Sequence, residues 1–106
     1  MYCLTVSYPK TENDHFDFDY YENSHLALVK DKFSPLGLQH MVLRTNVGSK
    51  PGGDDLFFAS VDLVFDSVES MNIALTSAGK EINADIVNYT SARAKYAFSA
   101  LSLLSS

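Results

Sequence analysis

Apolar and polar residues alternate from Tyr2 to Tyr8, with Tyr2, Leu4, Val6 and Tyr8 on one side and Cys3, Thr5 and Ser7 on the other. That period of two predicts a strand, which Pro9 ends. After a polar loop from Lys10 to His15 the pattern becomes helical. Asp17 is a good N-cap, because its carboxylate can accept from an otherwise unpaired backbone N–H. Phe16 and Tyr21 occupy the staple positions around that cap, and Asp19 and Glu22 place negative charge near the positive end of the helix. The helix is predicted to run to about Phe33, since Pro35 disfavours helical geometry at Ser34 and Gly37 adds a break.

A second strand is predicted from Leu38 to about Val47, followed by a turn at Gly48-Ser49-Lys50-Pro51-Gly52-Gly53-Asp54. From Asp55 to Phe65 the odd positions Phe57, Ala59, Val61, Leu63 and Phe65 are apolar, so that face of a third strand should pack under helices, with Ser60 and Asp62 opposite. Asp66 and Glu69 form a capping-box pattern opening a second helix, with Val68, Met71, Leu75 and Ala78 as its core stripe and Gly79 as its stop. A short helical or irregular piece passes through Ile82 and Ile86. Alternation of Ala92, Ala94, Tyr96, Phe98 and Ala100 with Arg93, Lys95 and Ser99 then predicts a fourth strand; residues 101–106 carry no assignment. Strand, helix, strand, strand, helix, strand is the split β-α-β order. It predicts an α+β, ferredoxin-like βαββαβ fold, a four-stranded antiparallel sheet with both helices on one face.

The 106 residues fit a single domain spanning 1–106. A chain of this size buries roughly two-thirds of its unfolded surface, so a sheet face without helices favours a partner subunit, and a homodimer is expected. The formal charge of −5 and the scatter of the basic residues argue against nucleic acid and anionic membranes as partners. Cys3 is the only cysteine, the amino terminus has no signal-peptide pattern, and no apolar run reaches the roughly 20 residues of a membrane span. A cytoplasmic location is expected.

Chemistry concentrates on the first helix. Tyr21, His25, Leu28 and Lys32 follow i, i+4, i+7, i+11 spacing, so one stripe presents a phenol and an imidazole beside apolar groups. With a reference pKa near 6.5, His25 suits a general acid or base, and Tyr21 would orient it or hold a substrate oxygen. The competing reading is a core histidine bonded to a backbone carbonyl among space-filling tyrosines. Tyr20, His40, Arg44 and Tyr89 are the candidate substrate-binding residues; His40 and Arg44 share a predicted strand face with Leu38 and Val42. Asp85 and Asn88, with Tyr89, could line the mouth of a pocket, but Asp and Asn beside a turn usually serve backbone geometry. Asp62 fits a polar contact at a subunit interface better than a catalytic site.

No metal site is expected, because His15, His25 and His40 lack ligand spacing. No cofactor is expected either, although a haem role for His25 stays open since one axial histidine suffices. Nucleophile-elbow, phosphate-loop and dinucleotide motifs are absent from the sequence.

In their order and spacing, several short pieces together carry a resemblance: Tyr8-Pro9 closing the first strand, Phe16-Asp17 with Tyr20-Tyr21 and His25, and Pro35-Leu36-Gly37-Leu38. Phe65-Asp66-Ser67, Ala84-Asp85-Ile86 and Asn88-Tyr89-Thr90 continue it. With these the chain resembles the EthD family of the dimeric α/β-barrel superfamily. Ala27 and Val87 stand where the family often has proline. The resemblance implies a homodimer whose two sheets face one another, with a pocket between sheet and first helix in each subunit. The family is named for proteins encoded with ethyl tert-butyl ether degradation, and fungal relatives act in aromatic polyketide pathways as dehydratases or decarboxylating enzymes.

The expectation is therefore a small-molecule enzyme performing cofactor-free proton transfer (dehydration, cyclisation or isomerisation) on an apolar or oxygenated substrate. A non-catalytic ligand-binding accessory protein and a cofactor-independent oxygenase are the alternatives.

Overall fold

The computed structural model describes residues 1–105. Four strands, β1 (Tyr2–Pro9), β2 (Leu38–Arg44), β3 (Phe57–Phe65) and β4 (Lys95–Ala100), form one antiparallel sheet in the order β2-β3-β1-β4. A helical segment over residues 18–33, here α1, follows β1, and α2 (Val68–Ala84) follows β3. This is the expected α+β ferredoxin-like topology. The core lies between the helices and one sheet face, where Leu4, Val6, Tyr8, Ala59, Val61, Leu63 and Phe65 meet Val29, Phe33, Met71, Ala74 and Ala78.

Helix α1 is not uniform. An α-turn at Phe18–Tyr20, capped by the Asp17 carboxylate accepting from Tyr20 N–H, leads into a π-turn at Tyr21–His25 and then a regular helix at Leu26–Phe33. In the widened turn Leu26 N–H donates to Tyr21 O. One extra residue in a turn rotates everything after it, so the buried stripe runs Tyr21, His25, Val29, Phe33 and not through Leu28 and Lys32. At the far end of α1, Gly37 adopts φ 107°, and a Cβ there would stand 2.7 Å from Ser70 Cβ; only glycine permits helix α2 to start so close.

Other boundaries depart from the pattern for local reasons. Ser67, not Asp66, caps α2, its hydroxyl accepting from Ser70 N–H, and Val68 is exposed. Helix α2 continues through Gly79 to Ala84 because Ile82 beyond it packs on the core, which offsets the glycine's poor helix propensity. Strand β2 ends at Arg44, just before Asn46 turns to φ 56°, and β4 starts only at Lys95. Between Leu38 and His40 the pairing with β3 shifts, so Leu38 pairs with Phe65 on the helix side while His40, Val42 and Arg44 pair with Val64, Asp62 and Ser60 on the open side. Leu38 therefore does not share a face with His40 and Arg44.

Candidate active site

The segment before α1 is tied to the segment before β4. Asp17 N–H donates to Tyr89 O at 2.8 Å, Phe16 bridges to Thr90, and the Thr90 hydroxyl donates to His15 O at 2.6 Å. These bonds hold the start of α1 against the 3-10 turn Asp85–Asn88 that follows α2. That places residues sixty positions apart in contact.

The contact is polar. His25 Nδ1 lies 2.9 Å from Asp85 Oδ2, while Asp85 Oδ1 accepts from the Tyr20 hydroxyl at 2.7 Å and from Asn88 Nδ2 at 2.9 Å. The histidine is 4% exposed. Burial pushes its imidazole below the ordinary value of 6.5, and the Asp85 bond offsets part of that fall. Burial raises the Asp85 carboxyl, but the bonds from Asn88, Tyr20 and His25 outweigh it and hold the group below its ordinary range. The favoured pair is thus a carboxylate accepting from Nδ1–H of a neutral imidazole, which leaves the Nε2 lone pair free. Among the described residues no side chain hydrogen-bonds to Nε2.

The His25 ring lines a cavity of about 230 Å³ between the two helices and the sheet. Leu4, Val6, Val61 and Leu63 form its floor, Val29 and Phe33 one wall, Leu75 and Ile82 the other. Tyr96 and Phe98 of β4, each 52% exposed, line the edge where the cavity meets the surface. Among the described residues no carboxylate, lysine or arginine lines it. Its polar side chains are Tyr8, Tyr21, His25, Asn83 and Tyr96, in an otherwise apolar enclosure.

Tyr21 is 1% exposed, and its ring stacks on His25 at 5.9 Å with a 16° interplanar angle, but among the described residues its hydroxyl has no hydrogen-bond partner. Tyr21 does not orient the histidine; Asp85 does. The Tyr8 and Tyr89 hydroxyls bond to each other at 2.6 Å. Burial pushes the Tyr8 phenol up to about 12 and those of Tyr21 and Tyr89 higher still, so all three are protonated donors at neutral pH.

The candidate residues therefore separate. His25 and Tyr21 line the cavity, Tyr20 binds the carboxylate behind it, and Tyr89 is fully buried against Tyr8, Tyr21 and His25. His40 and Arg44 lie on the opposite side of the sheet and do not reach the cavity. Arg44 Nη2 donates instead to Asp62 Oδ2 at 2.6 Å, and Asp62 also accepts from the Thr5 hydroxyl at 2.7 Å. Asp85, a turn residue by its sequence context, is the partner of His25, and Tyr8, a strand residue by pattern, lines the cavity. The available signal was the spacing Asp85-x-x-Asn88, two side chains that one helical turn brings together.

A βαββαβ chain whose antiparallel sheet runs in the order β2-β3-β1-β4 has a ferredoxin-like fold. The chain is similar to an EthD-like protein from Ralstonia eutropha JMP134 at 29% identity and TM-score 0.86, over 99% of this chain and 95% of that one. It is also similar to an ethyl tert-butyl ether degradation (EthD) family protein from Bacillus halodurans C-125, at 24% identity and TM-score 0.75, over 96% and 99%. A dimeric ferredoxin-like protein from an uncultured marine organism shares the fold at 11% identity and TM-score 0.56, over 100% and 97%. No family model and no curated protein matches the sequence. The first of these likenesses bears out the resemblance to EthD-like proteins, and the other two bear out the fold.

Proposed function

We propose that the chain is a cofactor-free enzyme in which His25 moves a proton to or from a small apolar-bodied molecule held in the helix–sheet cavity. The observation that carries this reading is the pairing of His25 Nδ1 with Asp85 at 2.9 Å, with Nε2 left free in an apolar cavity. Buried polar side-chain atoms usually have a hydrogen-bond partner, so a free Nε2 beside the cavity favours a ligand over a purely structural role. Asp85 positions the ring and supports the imidazolium that forms when Nε2 takes a proton, while Tyr20 and Asn88 fix the carboxylate. About 230 Å³ is below the roughly 300–1,000 Å³ of pockets for drug-sized ligands, so the site suits a one- or two-ring molecule and not a macrocycle such as haem.

The working form in this reading is a homodimer. The open sheet face has no helix over it, Val42 is exposed there, and Leu103 and Leu104 are exposed in the tail. Among the described residues no helix is long and apolar enough to cross a membrane.

The test is a screen of small aromatic and alicyclic carbon acids by ligand-observed NMR in D₂O. Wild-type protein is expected to bind members of the set and to exchange their acidic C–H for deuterium. His25→Gln should keep binding and lose exchange. Binding with no exchange for any probe would favour the ligand-binding accessory role, and no binding to wild type would sink the cavity reading.

A further inference from the structure

The cavity has a polar end and an apolar end. The Tyr8 and Tyr21 rings lie 5.7 Å apart, so α1 starts over the end of β1. The Phe33 and Phe65 rings lie 5.6 Å apart, so α1 finishes beside Phe65, the partner of Tyr2 at the start of β1. Helix α2 runs back the other way: Ser70 in its first turn lies against Gly37, just past α1, and Asp85 beyond its end meets His25. At that same end Asn83 Oδ1 accepts from the Tyr96 hydroxyl of β4 at 3.3 Å. Among the described residues the polar side chains lining the cavity therefore share one end, while Phe33, Leu63, Leu75 and Phe98 line the other. His25 and Phe33, like Asn83 and Leu75, are about 12 Å apart along their helices, so about 230 Å³ makes a slot one chain or one ring wide.

The polar end can accept a hydrogen bond. His25 Nε2 has no partner and, unlike the Tyr21 hydroxyl, keeps accessible surface. Burial keeps the imidazole neutral at neutral pH, so Nε2 offers a lone pair without a charge. With no lysine, arginine or carboxylate among the described lining residues, a ligand head of either charge would be desolvated without a counter-charge.

We infer that the slot takes a neutral aryl hydroxyl compound lengthwise, its O–H donating to His25 Nε2 and an unbranched apolar tail lying towards Phe33, with Leu75 setting the longest tail that fits. This rests on the proton-transfer reading above and names its substrate class: the proton that Nε2 takes is the hydroxyl's, and the O–H electron pair stays on oxygen as an aryloxide beside the imidazolium. A phenol, with a pKa of about 10, can share its proton with an imidazole, whereas an aliphatic alcohol holds its own far more tightly. Leu75 is only partly buried, so its size can change without opening the core.

The test titrates para-alkylphenols, from methyl to hexyl, into protein carrying ¹⁵N-labelled histidine. Affinity should climb about three- to fourfold per methylene and then level off. The Nε2 resonance that His25→Gln removes should shift to lower frequency with para-propylphenol and stay in place with para-propylanisole, whose oxygen carries no hydrogen. The anionic analogue para-propylbenzoate should bind at least about tenfold more weakly than the phenol. Leu75→Phe should move the levelling point to shorter tails; Leu75→Ala, which serves even where the larger side chain prevents folding, should move it to longer ones.

Affinity indifferent to tail length, a levelling point that neither Leu75 variant moves, equal Nε2 shifts with phenol and anisole, or a benzoate that binds as tightly as the phenol would each overturn this inference while the cavity stands. Binding of the carbon acids but of no alkylphenol would do the same. If neither set binds wild type, both readings fall.

Discussion

The two faces of the sheet handle polar groups in opposite ways. On the open face each polar side chain near the centre has a partner: Arg44 and Thr5 meet on Asp62, and the Ser7 and Ser60 hydroxyls lie 2.9 Å apart. On the helix face, where desolvation is stronger, His25 is bonded on one nitrogen only and Tyr21 on none. Unmade hydrogen bonds cost more in a dry interior than at a half-exposed surface. A free histidine nitrogen on the cavity side is the arrangement that the proposed proton transfer needs, whereas the network on the opposite face is closed.

The sharpest way to break this comparison is His25→Gln, which should lower proton exchange by about 10² to 10⁴ while circular dichroism shows an intact fold. Equal rates in wild type and variant would return His25 to the structural class. Asp85→Asn comes next. It keeps the volume but removes the charge, and exchange should fall roughly ten- to a hundredfold. Losing the carboxylate also removes what holds the imidazole up, so the acid limb of the pH–rate profile should move to lower pH than in wild type; an unmoved limb would contradict a positioning role for Asp85.

Stability should follow pH through the same pair. The folded His25 pKa lies below its unfolded value of 6.5, so the unfolded chain binds the proton more readily, and stability is lost as pH falls from about 6.5 down through the folded value. The Asp85 carboxyl, also held low, adds stability above its unfolded value of 3.8 that is lost further down, as pH falls through the folded one. Urea melts across pH 4 to 8 should show the first loss in wild type and not in His25→Gln. A His25→Gln slope equal to wild type would assign the acid loss to other groups.

The smallest effect belongs to the open face. Arg44 is half exposed, so Arg44→Ala should cost no more than about 1 kcal/mol in denaturant melts and leave binding of the carbon-acid probes unchanged. A loss of probe binding would mean that the open face communicates with the cavity.

The elements were largely legible because they rest on local chemistry. Alternation over Tyr2–Tyr8 and Phe57–Phe65, the Asp17 cap and the Gly37 break each act within a few residues, and all of them hold. The phase of α1 was not legible, since nothing in Tyr21–His25 announces a π-turn, and that one-residue offset moved the buried stripe from Leu28 and Lys32 to Val29 and Phe33. The side of the sheet taken by His40 was likewise hidden, because a pairing shift beside Leu38 depends on how β2 meets β3.

Local pattern was enough for the βαββαβ order, the acidic single-cysteine character and the placing of a phenol and an imidazole on the first helix. Packing in three dimensions made Asp85 the histidine's partner and joined Tyr8 to Tyr89 by one hydrogen bond. Periodicity reports which way a side chain points along its own element. Which group it meets depends on closing a loop of some sixty residues, and that is set by the packing of α1 and the turn after α2 against one sheet.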